Sequence, residues 1–183
     1  MHEKIRQARE FSLKAHSNQV YGKIYPYYKH LEDVYNVLIR FGFNETNHLN
    51  LLIASFLHDV IEDTNTSYSD IKKEFGVEIA EIVFCMSDEM GRNRKEKKEK
   101  TYPKIRSNPD SVILKVADRI ANAEFSTGEK SHQADMYRKE YEDFEYNLRI
   151  HNQIDLMWNH LKYILFKDEP KPISIEEPKE TTV

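Results

Sequence analysis

Residues 51–64 read LLIASFLHDVIEDT, and this stretch decides the fold of the chain. Leu52, Phe56 and Val60 recur there at the spacing of one face of a helix. Most neighbouring positions are also apolar, so such a helix has little surface suited to water. The stretch therefore predicts a central buried helix that ends at Asp63.

The same stretch ends in four polar side chains that a buried helix does not normally carry. His58 and Asp59 are adjacent, and Glu62 and Asp63 follow one helical turn later, so all four are expected on one side of the helix. Buried charges are normally paired or bound to a metal ion. The alternative is that His58 and Asp59 only satisfy the end of a helix. We interpret the group as the wall of a divalent-metal site.

Helical periodicity continues through the rest of the chain, and no strand pattern longer than a few residues occurs. The fold class is therefore predicted as all-α, with about eight helices. Asn44 or Thr46 is the expected cap of the central helix. The other predicted helices comprise residues 2–16, 30–41, 69–75, 77–86, 111–125, 131–149 and 154–166. Residues 167–183 are rich in proline and charge, which predicts a disordered tail after a single domain at residues 1–166.

Composition limits the classes of function. The 183 residues are 39% apolar, enough for one domain with a real core. The formal net charge of −4 argues against a protein that binds nucleic acid stably. No apolar run is long enough for a membrane span, no signal peptide is seen, and the one cysteine, Cys85, fits a reducing cytoplasm. With five glycines and no glycine-rich phosphate loop, side chains and metal must hold any phosphate.

Four residues are the candidate metal ligands: His30, His58, Asp59 and Asp118. Each lies at the start of, or inside, a segment that otherwise reads as buried helix. Mixed imidazole and carboxylate ligands suit divalent Mn, Fe, Zn or Mg. Such an ion polarises a phosphoryl group and lowers the pKa of water to about 7. The two acids one turn after Asp59 would lie beside that water as general base or acid.

His30, the doublet His58-Asp59 and the distant Asp118 resemble the H…HD…D pattern of HD-domain metal phosphohydrolases. The match is closer in the segments AHSNQVYGKIYPYYKHL, FLHDVIEDT, FGVEIAEIV and ILKVADRIANAE. These are similar to the hydrolase domain of RelA/SpoT-type enzymes and of their small stand-alone homologues. The resemblance implies a single HD-domain helical bundle that binds one Mn²⁺ ion through these four residues. It also implies hydrolysis of the 3′-pyrophosphate of the alarmones ppGpp and pppGpp.

The resemblance also implies roles for individual residues. Positions equivalent to Glu62 and Asp63 place the attacking water in the family. A family asparagine that lies at the nucleotide corresponds to Asn122. The family usually has a basic pair where this chain has Tyr21-Gly22, and the adjacent Lys23 is expected to compensate. The expected substrate-binding residues are Lys23, Tyr27, Lys115, Arg119 and Asn122.

Some of these residues have a structural interpretation beside the functional one. Tyr27 could simply pack, and Arg119 could pair with an acid instead of a phosphate. Residues 92–100 carry six basic side chains and two acids. That run either attracts a polyphosphate or forms a solvated helix face, and the solvated face is favoured.

Three functions stay open at this point. The first is an alarmone 3′-pyrophosphohydrolase with a small nucleotide as substrate. The second is a nucleotidase that cleaves another nucleotide phosphate ester, such as a nucleoside 5′-monophosphate. The third is a catalytically silent nucleotide-binding module that regulates a partner, which the retained acids Glu62 and Asp63 argue against. The sequence leaves open the metal in vivo and the oligomeric state, including a homo-oligomer.

Overall fold

A computed structural model describes residues 1–149 and 154–167. This part of the chain is helical apart from one short hairpin, so the predicted all-α class is confirmed. The predicted tail lies outside the described residues, except for Lys167. The elements are α1 (Glu3–Ala15), β1 (Val20–Tyr21), β2 (Tyr25–Pro26), α2 (Tyr28–Arg40), α3 (Leu49–Leu57), α4 (Val60–Asp63), α5 (Tyr68–Phe75), α6 (Val77–Met86), α7 (Arg94–Arg106), α8 (Pro109–Gly128), α9 (His132–Leu148) and α10 (Asp155–Phe166).

Helix α3 is the centre of the core. Every residue from Leu51 to Leu57 is buried, and Leu52 and Phe56 have no exposed surface at all. The helix packs against α1, α2, α6 and α8. Its position explains its composition, because a helix surrounded by other helices must be apolar on all sides. The central buried helix expected from the sequence is therefore present.

The central helix is shorter than predicted at both ends. It begins at Leu49, because Asn44 caps a separate turn in which its Oδ1 accepts hydrogen bonds from the backbone N–H groups of residues 46 and 47 at 3.1 and 3.2 Å. It ends at Leu57, and α4 starts at Val60. His58 and Asp59 form the junction between them, where the backbone leaves regular helix geometry at Asp59 (φ −102°, ψ −3°).

Helix α8 also differs from its predicted bounds. It begins at Pro109, two residues earlier than expected, because the side chain of Asn108 accepts hydrogen bonds from the backbone N–H groups of Asp110 and Ser111. Proline suits the first helical position, since its missing N–H needs no partner there. The helix continues to Gly128, which places Asp118 near its middle. Helix α2 likewise starts early, at Tyr28, rather than near residue 30.

The hairpin of β1 and β2 lies between α1 and α2. Tyr21 pairs with Tyr25 in antiparallel register, and Gly22 adopts a positive φ of 63° in the turn. The ring of Tyr21 packs on Phe125 of α8, with ring centroids 4.2 Å apart.

None of the helices in the described ranges combines the length and apolar character that crossing a membrane requires.

Candidate metal centre and substrate cavity

The four predicted ligand residues meet at one point. His30 comes from α2, His58 and Asp59 from the junction of α3 and α4, and Asp118 from α8. The Nε2 atoms of the two histidines are 3.2 Å apart. Asp59 Oδ2 lies 3.5 Å from His30 Nε2 and 2.9 Å from His58 Nε2. Asp118 Oδ1 lies 3.3 and 3.9 Å from the same two nitrogen atoms.

This arrangement fits a divalent ion. His30, His58 and Asp118 each offer one ligand atom, and these atoms all lie within 4.8 Å of one another. Metal–ligand bonds of about 2.1 Å place adjacent ligand atoms roughly 3 to 3.4 Å apart, which is the spacing found around His30. Asp59 is not one of these three residues, but its Oδ2 lies within 3.5 Å of both histidine Nε2 atoms. The residues therefore form a potential divalent-metal site built from two imidazoles and carboxylate oxygen.

The backbone of α3 sets the orientation of His58. Its Nδ1 lies 2.8 Å from the carbonyl oxygen of Ser55, one turn earlier in the helix. Because a carbonyl oxygen only accepts, Nδ1 must carry the proton, and Nε2 is left to face the ligand group. This bond is the support that metal-binding histidines usually receive from their surroundings. The helix that forms the core thus also fixes one candidate ligand.

The two carboxylates have their own partners. The Tyr27 hydroxyl donates to Asp59 Oδ2 at 2.5 Å. The Asn122 side-chain amide donates to Asp118 Oδ1 at 2.6 Å, and Lys115 Nζ lies 3.5 Å from Asp118 Oδ2. These contacts hold both acids in fixed positions.

Charge within this group shifts several pKa values. Burial lowers the pKa of His30, but hydrogen bonds to Asp118 and Asp59 outweigh it and raise the pKa to about 9. Burial raises the pKa of Asp118, yet Lys115 and His30 outweigh that effect and hold the pKa below its usual range. The pKa of Asp59 is also lowered, mainly by His58 acting against burial. The two carboxylates and the His30 imidazole therefore stabilise one another's charged forms.

Glu62 and Asp63 lie beside the ligand group, on the wall of the same cavity. Glu62 Oε2 accepts a hydrogen bond from the Asp88 backbone N–H at 3.2 Å. Burial, together with the charge of Asp88, raises the pKa of Glu62. Asp63 Oδ2 accepts from Gln19 Nε2 at 2.8 Å. Neither acid is needed to complete the ligand group, so both are available to a reacting water.

The cavity has a volume of about 480 Å³, which is in the range of small-molecule sites. One end is acidic and contains the candidate metal centre. The other end is formed by α7, α8 and α9. Its lining residues are Tyr27, His30, Asp59, Glu62, Asp63, Asp88, Arg94, Lys98, Thr101, Tyr102, Ile105, Lys115, Asp118, Arg119, Asn122, Gln133, Tyr137 and Phe144.

The cationic end of the cavity is formed by Arg94, Lys98 and Arg119, which gather around Glu140. Arg94 donates to Glu140 through Nε at 2.6 Å and through a terminal nitrogen at 3.2 Å. Lys98 forms an ion pair with the same carboxylate, and Arg119 approaches it at 3.5 Å. The Arg119 guanidinium also lies over the rings of Tyr137 and Phe144, at 4.6 and 4.3 Å from their centroids. One carboxylate thus faces three cations, and this end keeps excess positive charge.

The predicted substrate residues divide into two groups. Tyr27, Lys115, Arg119 and Asn122 all line the cavity. Lys23 does not: it is exposed in the hairpin turn and is absent from the lining residues. The position of Lys23 therefore gives no support to its predicted substitution for the missing basic pair.

Some basic residues of the run 92–100 face solvent, and others line the cavity where a polyphosphate could bind. Lys95 is 87% exposed on the solvated face of α7, and Arg92, which precedes the helix, is 89% exposed. Arg94 and Lys98, spaced by one helical turn, line the cavity instead. Sequence reasoning did not separate these two faces, and it missed Asp88 and Tyr102 as lining residues. A helical projection of α7 would have separated the faces, but only the fold shows which face meets α8 and α9.

Comparison with known proteins identifies similar sequences. Residues 8–144 match the family model described as HD domain. A guanosine-3′,5′-bis(diphosphate) 3′-pyrophosphohydrolase of Aquifex aeolicus (strain VF5) is 31% identical over 124 residues, covering 66% of this chain and 17% of the relative. The MESH1 protein of Drosophila melanogaster, which bears the same enzyme name, is 32% identical over 73 residues, covering 39% of this chain and 41% of the relative. The chain thus spans less than half the length of these relatives.

Solved structures share the fold. A metazoan ortholog of SpoT that hydrolyses ppGpp matches with a TM-score of 0.74 at 21% identity, over 88% of this chain and 95% of that one. A protein of Listeria monocytogenes EGD-e matches with a TM-score of 0.61 at 25% identity, over 80% and 99% of the two chains. The helical arrangement around the candidate metal centre therefore recurs in other proteins.

The pKa of His30 predicts that metal affinity depends on pH. A metal ion needs the neutral imidazole, and below a pKa of about 9 the ion must displace a proton from His30. Apparent affinity for Mn²⁺ should therefore rise with pH from about 6.5 to 8.5, by up to roughly tenfold per unit for one displaced proton. Isothermal titration calorimetry at several pH values measures this slope.

A matched control for that titration is His160→Gln. His160 contacts Glu124 at 2.7 Å, away from the candidate metal centre, so this variant should retain the slope of the wild-type protein. An affinity for Mn²⁺ that stays constant over the same pH range would contradict the assignment of His30 as a ligand.

Proposed function

This chain belongs to the HD domain family, and we propose that it is a metal-dependent phosphohydrolase that removes the 3′-pyrophosphate from ppGpp and pppGpp. One observation carries the proposal: a single cavity contains the candidate metal centre, the carboxylates of Glu62 and Asp63, and the cationic end. The relatives named as ppGpp pyrophosphohydrolases support the choice of substrate.

The proposed cofactor is Mn²⁺, held by His30, His58, Asp59 and Asp118. An ion of this type polarises a phosphoryl oxygen and eases the ionisation of water. Imidazole nitrogen combined with carboxylate oxygen suits Mn²⁺ as well as other divalent ions of the first transition row. Tyr27 and Lys115 supply the contacts that keep the two carboxylates in place around it.

Glu62 and Asp63 are the proposed catalytic acids. A water molecule between these carboxylates and the scissile phosphate would donate a hydrogen bond to one of them and lose a proton to it. Glu62 is the better acceptor, because burial raises its pKa and makes its carboxylate more basic. Asp63, held by Gln19, orients the water.

The bond changes of the reaction balance with water alone. The oxygen of water forms a new bond to the phosphorus attached to the ribose 3′ oxygen, and the bond from that phosphorus to the 3′ oxygen breaks. The 3′ oxygen takes up a proton, and pyrophosphate leaves. The nucleoside 5′-diphosphate or 5′-triphosphate remains as the second product.

The cationic end supports a substrate with phosphate groups at two positions. A 3′-pyrophosphate at the acidic end needs the metal ion as its counter-charge. Arg94, Lys98 and Arg119 then provide a second anion-binding region, where charge-assisted hydrogen bonds to a 5′-diphosphate are favourable. A nucleoside monophosphate has only one phosphate and cannot use both ends.

A nucleotidase acting on another nucleotide phosphate ester is the second candidate. The specific observation in its favour is the pair Tyr21-Gly22, which stands where RelA/SpoT-type sequences usually carry two basic residues. Lys23 does not replace that charge within the cavity. A silent regulatory module is the third candidate, and it predicts nucleotide binding without turnover.

A comparison of substrates tests the proposed function. Purified protein with Mn²⁺ should release pyrophosphate from ppGpp and pppGpp and leave GDP and GTP, with higher kcat/KM than for GMP or AMP. Faster turnover of the monophosphates would establish the nucleotidase instead. Binding of ppGpp without release of pyrophosphate would establish the silent module.

The roles of the two acids predict a separation of chemistry from metal binding. Glu62→Gln and Asp63→Asn should leave Mn²⁺ content near normal and reduce kcat by about 10²-fold or more if the residue accepts the proton. Glu99→Gln, an exposed acid on α7, serves as the control and should retain full turnover. Unchanged kcat in the variant with both acids replaced would exclude them from the mechanism.

The cationic end predicts an effect on substrate binding. Arg94→Gln should raise KM for ppGpp by roughly one to two orders of magnitude, since a charge-assisted contact contributes about 1.5–3 kcal/mol. Arg92→Gln is a matched control two residues away, because Arg92 is 89% exposed and does not line the cavity. Equal KM values for the two variants would show that Arg94 makes no substrate contact.

A further inference from the structure

We infer that Tyr21 is a positioning residue of the metal site, acting on the ligand Asp118 through Asn122. The Tyr21 hydroxyl donates to Asn122 Oδ1 at 2.9 Å, and Asn122 Nδ2 donates to Asp118 Oδ1 at 2.6 Å. This inference rests on the metal binding of the proposed function and is independent of the nucleotide substrate. The inference assigns a role to Tyr21, which stands where RelA/SpoT-type sequences usually carry the first of two basic residues.

The chemistry of the three groups fixes the direction of this hydrogen-bonded chain. An ionised carboxylate accepts only, so the nitrogen of the Asn122 amide must face Asp118. The amide oxygen then points away from Asp118 and needs a donor. Tyr21 supplies it. Rotating the amide by half a turn would place its oxygen against the carboxylate of Asp118, and Tyr21 therefore stabilises the one orientation that supports the ligand.

Packing holds the Tyr21 ring in the position that this bond requires. The ring centroid lies 4.2 Å from that of Phe125 and 4.9 Å from that of His30, another proposed ligand. Rotation of the side chain would break both aromatic contacts. Tyr21 thus links β1 to α2 and α8 at the point where these helices supply ligands.

Gly22 is part of the same arrangement. A Cβ atom at this position would lie 2.8 Å from Cζ of Phe125, and its φ of 63° is unfavourable for other residues. Glycine therefore lets the hairpin approach Phe125 closely enough for the Tyr21 hydroxyl to reach Asn122. The pair Tyr21-Gly22 forms a neutral support for the metal site in place of two positive charges.

A double-mutant cycle on Mn²⁺ affinity tests the inference. Tyr21→Phe removes only the hydroxyl, and Asn122→Ala removes the group it contacts. Each single variant should weaken Mn²⁺ binding by about tenfold, the lower end of the loss seen when a supporting hydrogen bond of a metal ligand is removed. Because both act through one chain, the double variant should bind Mn²⁺ no more weakly than Asn122→Ala alone.

Tyr25→Phe is the matched control, since Tyr25 lies on the same hairpin and packs on Phe125 at 5.8 Å without lining the cavity. It should bind Mn²⁺ within about twofold of the wild-type protein, within the error for an independent site. Calorimetry gives the affinities, and the melting temperatures of the metal-free proteins show whether each variant folds. If Asn122→Ala does not fold, the difference between Tyr21→Phe and Tyr25→Phe alone decides the outcome.

Three results would overturn the inference: Tyr21→Phe binding Mn²⁺ as tightly as Tyr25→Phe, losses that add fully in the double variant, or a wild-type protein that does not bind Mn²⁺. Failure to hydrolyse ppGpp would refute the proposed substrate but not this role, because the readout is metal affinity.

Discussion

The candidate site depends on one cluster of side chains, in which His58 Nε2, Asp59 Oδ2 and Asp118 Oδ1 lie 3.2, 3.5 and 3.3 Å from His30 Nε2. His30 and His58 are 2% and 1% exposed, so water screens the charges around them only weakly. Charges in such surroundings require a partner, because removing them from water costs several kcal/mol for each ion. A divalent ion bound by these groups would be such a partner for both acids.

The helices of the fold position these two imidazoles and two carboxylates. Helix α3 is apolar because it crosses the core, and its last turn fixes His58 through the Ser55 carbonyl. Breaking the helix at Asp59 turns that carboxylate toward the neighbouring α2 and α8. Lys115, Tyr27 and Asn122 then complete the contacts of the two acids. The candidate ligands are thus placed by the same helices that form the core.

Part of this arrangement could be predicted from sequence. The apolar run before His58 shows that a helix is buried, and the polar residues that follow conflict with burial unless they bind something. His30 and Asp118 could be added because each also interrupts an apolar helix. The break between α3 and α4 could not be predicted, because the residues after Leu57 keep helical spacing in the sequence and the backbone departs from the helix only at Asp59. Arg94 and Tyr21 could not be assigned either, since their roles depend on which helix each of them meets.

The proposed function depends above all on one divalent ion held by His30, His58, Asp59 and Asp118. Equilibrium dialysis against Mn²⁺, followed by elemental analysis, measures this most directly. The wild-type protein should retain one ion per chain, and single replacement of His58 or Asp118 by alanine should abolish retention at the same free Mn²⁺ concentration. Retention of one ion by both folded variants, or none by a folded wild-type protein, would contradict the account.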